Sequence, residues 1–520
     1  MNNSGLTRRE LLKSAAALPL LSFAAAGAAS SSKANIILFV TDQERAITHF
    51  PVGWEQQNLP GLTRLKGRGL SFSRAYTNAC MCSPARSTLM SGYFPAQHGV
   101  KYTLERDMPS NKYPQMELST SLKNIGTVMS AAGYNVVYKG KWHCSKPSQG
   151  APSQASRFVQ KDLERYGFQR WDPPDAGANQ DASEAGGGNA DNDGRFMTED
   201  GQWKAGKEGV LAFLSSAARA QQPFFLIVSL VNPHDVLFYP KSFATSGYPD
   251  SMLLGDIQIP QTNIESLDTK PSVQRDFLAI SQIGLGALVT DPQRLAYLNF
   301  YGNLMKKADG YLQQVMAALD QLGLTDNTIV IRTADHGEMG LTHGGQRQKN
   351  FNFYEEACRV PLVYSNPTLY DRAYSTDALV SHVDFLPTLA SLFHAPVSAR
   401  SSWQGVDYSQ IVLNPSAAPV QDYLVFTYDD FQSGQASGPY PFPPNHIASI
   451  REARYKLAEY YDPTGGAQSQ WEMYDLLLDP LEVENIAWPT YPRTPMLDQE
   501  LARLRAKLAT VKATRLRPLS

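Results

Sequence analysis

Four stretches of the chain are apolar without alternation: Asn35–Thr41, Asn135–Tyr138, Phe224–Leu230 and Thr328–Thr333. A strand with one face in water alternates polar and apolar positions, whereas a strand covered on both faces reads as an unbroken run rich in Val, Ile, Leu and Phe. Helical periodicity fills the segments between them, most plainly Ser119–Ala132 and Ala296–Leu322. The pattern predicts an α/β fold with a large, mostly parallel sheet sandwiched by helices. Each run ends in polar residues: Asp42-Gln43-Glu44-Arg45, Lys139-Gly140-Lys141-Trp142-His143, Asn232-Pro233-His234-Asp235 and Asp335-His336-Gly337-Glu338. In such sheets ligands bind beyond the carboxyl ends of the strands. The four clusters are therefore expected to converge on one site.

Near Gly405 the pattern changes, and 417–421 reads as a linker. Short strands follow at Tyr423–Tyr428, Ala448–Ile450, Tyr455–Tyr460 and Trp471–Leu476, closed by a helical stretch Met496–Val511. They predict a small antiparallel sheet with a helix. Asp172–Gly194, rich in Gly, Ala, Asn and Asp, is expected to be a surface insertion, and Leu237–Val289 a long excursion that walls the pocket. Asn189–Gly194 mimics the start of a calcium loop but lacks flanking helical patterns and the closing glutamate, so it is not read as one.

Thr7-Arg8-Arg9, a modest apolar Ala-rich run broken by Pro19, and small residues at Ala26-Gly27-Ala28 have the form of a twin-arginine signal over residues 1–29. The run is too short for a membrane anchor. A bacterial periplasmic or secreted protein is expected, handed folded to the twin-arginine export machinery. The balance of 47 basic and 49 acidic residues argues against a nucleic-acid or membrane-surface role. Four cysteines, Cys80, Cys82, Cys144 and Cys358, are too few for a disulfide scaffold, although a Cys144–Cys358 bridge suits an oxidising compartment.

The most specific motif runs from Cys80 to Gly92: Cys-Met-Cys-Ser-Pro-Ala-Arg-Ser-Thr-Leu-Met-Ser-Gly. Pro84 extends Ser83, which predicts a turn at Cys82 entering a helix near Ala85. Free N–H groups at that helix start, with Arg86, are expected to hold an anion and to depress the thiol pKa.

Cys82-Ser83-Pro84-Ala85-Arg86, followed by Gly92, resembles the signature of the sulfatases, in the alkaline-phosphatase superfamily. The resemblance implies an alkaline-phosphatase-like fold, with a catalytic domain over 33–416 and a C-terminal subdomain over 422–520. It also implies that a maturation enzyme oxidises Cys82 to formylglycine (3-oxoalanine), whose hydrate supplies the nucleophilic hydroxyl for cleaving a sulfate monoester of a small molecule or saccharide.

Asp42, Gln43, Asp335 and His336 match the metal-ligand motifs of that family, with the converted Cys82 as a further ligand. They imply one divalent cation, calcium ahead of manganese or magnesium. Gln43 stands where the commonest pattern has a second aspartate, and with His336 this raises manganese and magnesium without displacing calcium. Asp335 also reads as a helix N-cap, with Glu338 completing a capping box.

Lys141 and His143 match the second sulfatase signature, and His234 and Lys349 the remaining anion-contacting positions, while Lys139 and Arg347 read as supporting or surface residues. The family mechanism implies that Arg86 and the cation favour the ionised hydroxyl, His234 or Lys349 protonates the departing alcohol, and His143 takes a proton as sulfate leaves. A phosphonate monoester or phosphodiester hydrolase of the same superfamily is the alternative. A binding protein with an unmodified cysteine would have no use for the full catalytic set.

Overall fold

The computed structural model describes residues 33–105, 113–148, 158–178, 181–198, 208–220, 222–435 and 437–519; the expected twin-arginine signal at 1–29 lies outside them. Among the described residues thirteen strands occur in chain order: β1 (Asn35–Asp42), β2 (Gly69–Phe72), β3 (Ala75–Tyr76), β4 (Asn135–Gly140), β5 (Phe224–Pro233), β6 (Thr328–Ala334), β7 (Leu362–Ser365), β8 (Tyr374–Thr376), β9 (Val380–Ser381), β10 (Tyr423–Tyr428), β11 (His446–Glu452), β12 (Tyr455–Tyr461) and β13 (Gln470–Asp475). Seven form the main sheet in the order β4-β5-β1-β6-β7-β2-β8.

The four apolar runs are the neighbours β4, β5, β1 and β6, all mutually parallel. β7 joins β6 and β2 antiparallel, and β8 lies parallel to β2. Alternate side chains of β1 enter opposite cores: Ile36, Leu38 and Val40 meet one, Ile37 and Phe39 the other. All five are at most 1% exposed, and burial of each is worth about 2 kcal/mol, so neither face of the strand can turn to water. Helices Cys82–Ser91, Ile125–Ala131 and Phe385–Leu392 contribute to the first core; Pro60–Gly67, Val210–Ala220 and Asp291–Gln321 contribute to the second.

β10–β13 form a separate antiparallel sheet, backed by the helix Pro495–Thr514 through Leu501, Leu504, Leu508 and Val511. Among the described residues no helix is long and apolar enough to cross a membrane.

Three expectations need correction. Asp172–Gly194 is no surface excursion: Asp175, Glu184 and Asp193 are buried within it, because Asp175 and Asp193 bind backbone at the ends of the main-sheet strands and Glu184 binds the Ala178 N–H within the segment. Cys144 and Cys358 are free thiols; Cys358 lies beside Cys80 in a core away from Cys144. Asp335 caps no helix, because the backbone after it runs irregularly and Glu338 turns to Gln43 instead.

Candidate active site

β1 and β6 end side by side, with Thr41 paired to Ala334, so Asp42 and Asp335 leave the sheet at the same height. The Cys82–Ser91 helix starts at Cys82 itself, three residues earlier than expected, because the Ala85 N–H already donates to the Met81 carbonyl at 3.0 Å. Pro84 is tolerated there since a first-turn N–H has no helical partner. Gly92, in the left-handed region at φ 73°, closes the helix.

Cys82 Sγ lies 3.5 Å from Asp42 Oδ1 and 3.4 Å from His336 Nε2. Ligand atoms of Asp42, Cys82, Asp335 and His336 all fall within 4.8 Å of one another, and all four residues are buried. His336 Nδ1–H donates to the Gly337 carbonyl at 3.0 Å, which leaves the Nε2 lone pair facing the group. Among the described residues Asp42 Oδ1 accepts only from the Cys82 thiol, whereas Oδ2 is bound by Arg86 at 3.0 Å and Lys141 at 2.7 Å. Two carboxylates and an imidazole, with Asp42 Oδ1 and the His336 Nε2 lone pair turned to the group, fit a divalent cation. Gln43 follows Asp42 directly, and its Oε1 accepts from Lys349 Nζ at 2.6 Å.

Arg86 ties the floor together. Its guanidinium also donates to Asp335 Oδ2 (2.9 Å), the Lys141 carbonyl (3.0 Å) and Ser229 Oγ (2.8 Å). Burial raises the Asp42 carboxyl, but Lys141, His234 and Arg86 outweigh it and hold the group well below the usual range. Burial beside Asp42 pushes Asp335 up to about 7.

The Cys82 thiol does not follow the expectation of a depressed pKa. Burial and the Asp42 carboxylate raise it to about 12, against Lys141 and Lys349, so it is a poor thiolate nucleophile.

Lys141 is placed by the close approach of β4 and β5. Gly140 has φ 110°, and a Cβ there would lie 1.9 Å from the Ser229 carbonyl oxygen, so only glycine lets Lys141 N–H reach that oxygen at 2.9 Å. Asp175 accepts from the backbone N–H groups of Trp142 and His143, both at 2.8 Å. His143 donates from Nε2 to the Leu104 carbonyl at 2.7 Å, and its buried Nδ1 has no partner among the described residues.

Asp193 does for β5 what Asp175 does for β4, accepting from Val231 N and Asn232 N at 2.6 and 3.0 Å just before His234. Nothing in local composition marked these two acids, because their role exists only once distant segments meet.

His234 and Lys349 line a cleft of about 670 Å³ with Cys82 on its floor. Burial and the Lys141 ammonium push the His234 ring well below its ordinary range. One wall is apolar, with Leu237, Phe277, Ile280 and Leu285 from the 237–289 excursion; the other carries Thr103, Glu105, Asp181 and 433–435. Lys139 and Arg347 are buried: Lys139 donates to the Arg170 carbonyl at 2.7 Å, and Arg347 to the Gly286 carbonyl at 2.8 Å, behind the apolar wall.

A second group, His343, Glu356 and Glu482, also has ligand atoms in mutual reach. Its acids already face cations: Glu356 meets His49 at 2.6 Å and Glu482 meets Lys456 at 2.6 Å. It therefore behaves as an ion-pair network.

Four non-glycine residues around the floor adopt left-handed backbone: Gln43 (φ 64°), Met81 (φ 114°), His143 (φ 56°) and Gln348 (φ 71°). Such conformations cost about 1–3 kcal/mol each and persist where the surroundings enforce them.

Comparison with known proteins agrees with this geometry. Residues 34–395 match the family model "Sulfatase", and 344–512 match "N-sulphoglucosamine sulphohydrolase, C-terminal". An ulvan-active sulfatase of Formosa agariphila is 26% identical over 92% of this chain and 81% of its own length. A Delta 4,5-hexuronate-2-O-sulfatase of Bacteroides thetaiotaomicron is 23% identical over 94% and 90%.

Among solved structures, a 2-O GAG sulfatase superposes with TM-score 0.67 at 21% identity, over 93% of this chain and 92% of its own. A phosphonate monoester hydrolase from Silicibacter pomeroyi gives 0.65 at 19%, over 93% and 96%, and shares the fold. With the sulfatase model spanning most of a chain whose cysteine motif sits among buried acids at the strand ends, the protein belongs to the sulfatase family of the alkaline-phosphatase superfamily and is a sulfuric ester hydrolase.

Proposed function

We propose that the protein hydrolyses the sulfate monoester of a saccharide alcohol, using a formylglycine derived from Cys82 and one divalent cation held by Asp42, Asp335 and His336 with Gln43 at its edge. The observation that carries this reading is the position of Cys82 Sγ, 3.5 Å from Asp42 Oδ1 and 3.4 Å from His336 Nε2 at the cleft floor. The cation, calcium or else manganese or magnesium, would acidify a hydroxyl at position 82 and share the charge of the sulfuryl oxygens. A single hydroxyl could form a sulfate ester but not expel it; the hydrated aldehyde carries a second hydroxyl for that purpose.

The remaining work falls to the chain. Lys141 and Arg86 keep Asp42 ionised. Lys349 and His234 face the sulfuryl oxygens from the cleft wall, and His234 gives a proton to the departing alcohol oxygen, with Lys349 as the rival donor. Because burial keeps His234 neutral at rest, the proton it donates is taken up from solvent once the bound anionic ester favours the imidazolium. His143 Nδ1, buried and without a partner among the described residues, suits the proton released when sulfate is expelled. The net change is water plus ester to alcohol, sulfate and a proton.

The relatives named for saccharide sulfates and the mixed apolar and polar cleft walls support a sugar as the alcohol half. The arginine pair at Arg8-Arg9 supports twin-arginine export to the periplasm or beyond. Mass spectrometry of the Cys82 peptide after expression with a maturation enzyme should show the thiol replaced by an aldehyde. An active enzyme with an intact thiol would overturn the mechanism. Side-by-side kinetics on sulfate monoesters and phosphonate monoesters decide the reaction class.

A further inference from the structure

Glu338 is fully buried. Its Oε1 accepts from Tyr297 Oη at 2.6 Å, Gln348 N at 2.9 Å and Gly340 N at 3.1 Å, and its Oε2 accepts from Gln43 Nε2 at 2.5 Å. On the other side of the same amide, Gln43 Oε1 accepts from Lys349 Nζ at 2.6 Å. Gln43 is thus clamped between an acceptor and an ammonium, which can only donate. One orientation satisfies both: NH2 towards Glu338, oxygen towards Lys349. Its backbone is equally fixed, with N–H donating to Asp335 Oδ1 at 3.0 Å and C=O accepting from Tyr301 Oη at 2.8 Å.

The geometry points to Glu338 as a positioning residue that orients the Gln43 amide and, through it, aims the Lys349 ammonium into the cleft. It also accounts for the glutamine where the commonest family pattern has aspartate. A carboxylate at 43 would face the Glu338 carboxylate with no proton between them, whereas an amide supplies that proton and still offers an oxygen to Lys349. The negative charge missing at position 43 is present one hydrogen bond further back. The inference rests on the reading of Lys349 as a sulfate contact.

The test exchanges the two groups. In Glu338→Gln alone, either amide orientation at 43 sets NH2 against a donor. In Gln43→Glu alone, two carboxylates meet. The double variant Gln43→Glu/Glu338→Gln restores every bond with the charge moved one residue.

Each single variant is expected to lose about thirtyfold in kcat/KM on 4-nitrophenyl sulfate, carried mainly by KM, as fits a misaligned charged hydrogen bond. The double variant is expected to recover at least about tenfold over the worse single one, a coupling expected of contacting residues. Losses that multiply in the double variant, or a Gln43→Glu enzyme equal to wild type, would overturn the assignment. The midpoint of thermal unfolding and the dissociation constant for calcium by equilibrium dialysis are read on all four proteins. Mutual rescue there, in a protein inactive on sulfate esters, would uphold the Glu338–Gln43 pair and reject the role of Lys349.

Discussion

Arg86 and Asp335 meet through Nε and Oδ2 at 2.9 Å, both at most 1% exposed, while the same guanidinium reaches Asp42 Oδ2 at 3.0 Å. A planar fork with several fixed donors can span two carboxylates and two further oxygens; an ammonium cannot. Arg86→Lys is expected to lower kcat at least about a hundredfold, and to cost about 3 kcal/mol of stability by leaving buried carboxylates short of partners. Turnover of 4-nitrophenyl sulfate and urea unfolding measure the two effects. A variant with near-normal kcat would show that Lys141 alone neutralises the pair.

Removal of the cation should silence the enzyme reversibly. Prolonged chelation is expected to abolish hydrolysis until calcium, manganese or magnesium is restored, and Asp42→Ala or Asp335→Ala to abolish it beyond rescue. Elemental analysis alongside the assays decides the matter, since full activity in a metal-free sample is incompatible with the ligand assignment.

The proton donor can be identified from the leaving group. A sugar alkoxide needs a proton as the S–O bond breaks, whereas nitrophenolate departs without one, and general-acid help is worth about 10²–10⁴-fold where it is needed. His234→Ala should therefore damage a sugar sulfate at least about tenfold more than nitrophenyl sulfate. If Lys349→Ala shows that asymmetry instead, the acid is Lys349. Equal losses for both variants on both substrates would leave them as sulfate contacts only.

His343 gives the stability curve an alkaline edge. Burial opposes its charge, but Glu265 at 2.7 Å and Glu356 outweigh that and raise its pKa to about 9. The folded pKa lies above the unfolded value of about 6.5, so the imidazolium stabilises fully below pH ~6.5, progressively less up to about 9, and not beyond. The whole contribution is about 3 kcal/mol. Unfolding free energies from pH 6 to 10 should fall through that window in the wild type and more shallowly in His343→Gln. Parallel curves would assign the alkaline loss to other groups.

The four strands and the clusters at their ends were legible because each is local: an unbroken apolar run, then polar residues within a few positions. The wall-forming role of 237–289 was legible from length and from its position beside His234. Asp175 and Asp193 were not, since an aspartate that binds backbone N–H groups more than thirty residues away carries no local signature; Glu338 was legible only as a helix-cap residue, because its side-chain partners Gln43 and Tyr297 lie far off in the chain. The thiol pKa was misjudged for a related reason. The helix start was weighed as the deciding influence, but Asp42 and full burial come from across the sheet and decide the sign.

Consider, finally, the left-handed backbone at Gln43, Met81, His143 and Gln348. Glycine at any of these positions would relieve the local strain, yet it would remove a side chain the site uses or let the loop wander. Met81 is buried in a hydrophobic cluster, so Met81→Gly would relieve about 1–3 kcal/mol of strain but open a cavity costing about 2–5 kcal/mol, and laboratory selection for heat resistance should leave it in place. The catalytic floor behaves as a sprung part held in tension by the rest of the molecule. Its rigidity is bought from the same free energy that keeps the chain folded.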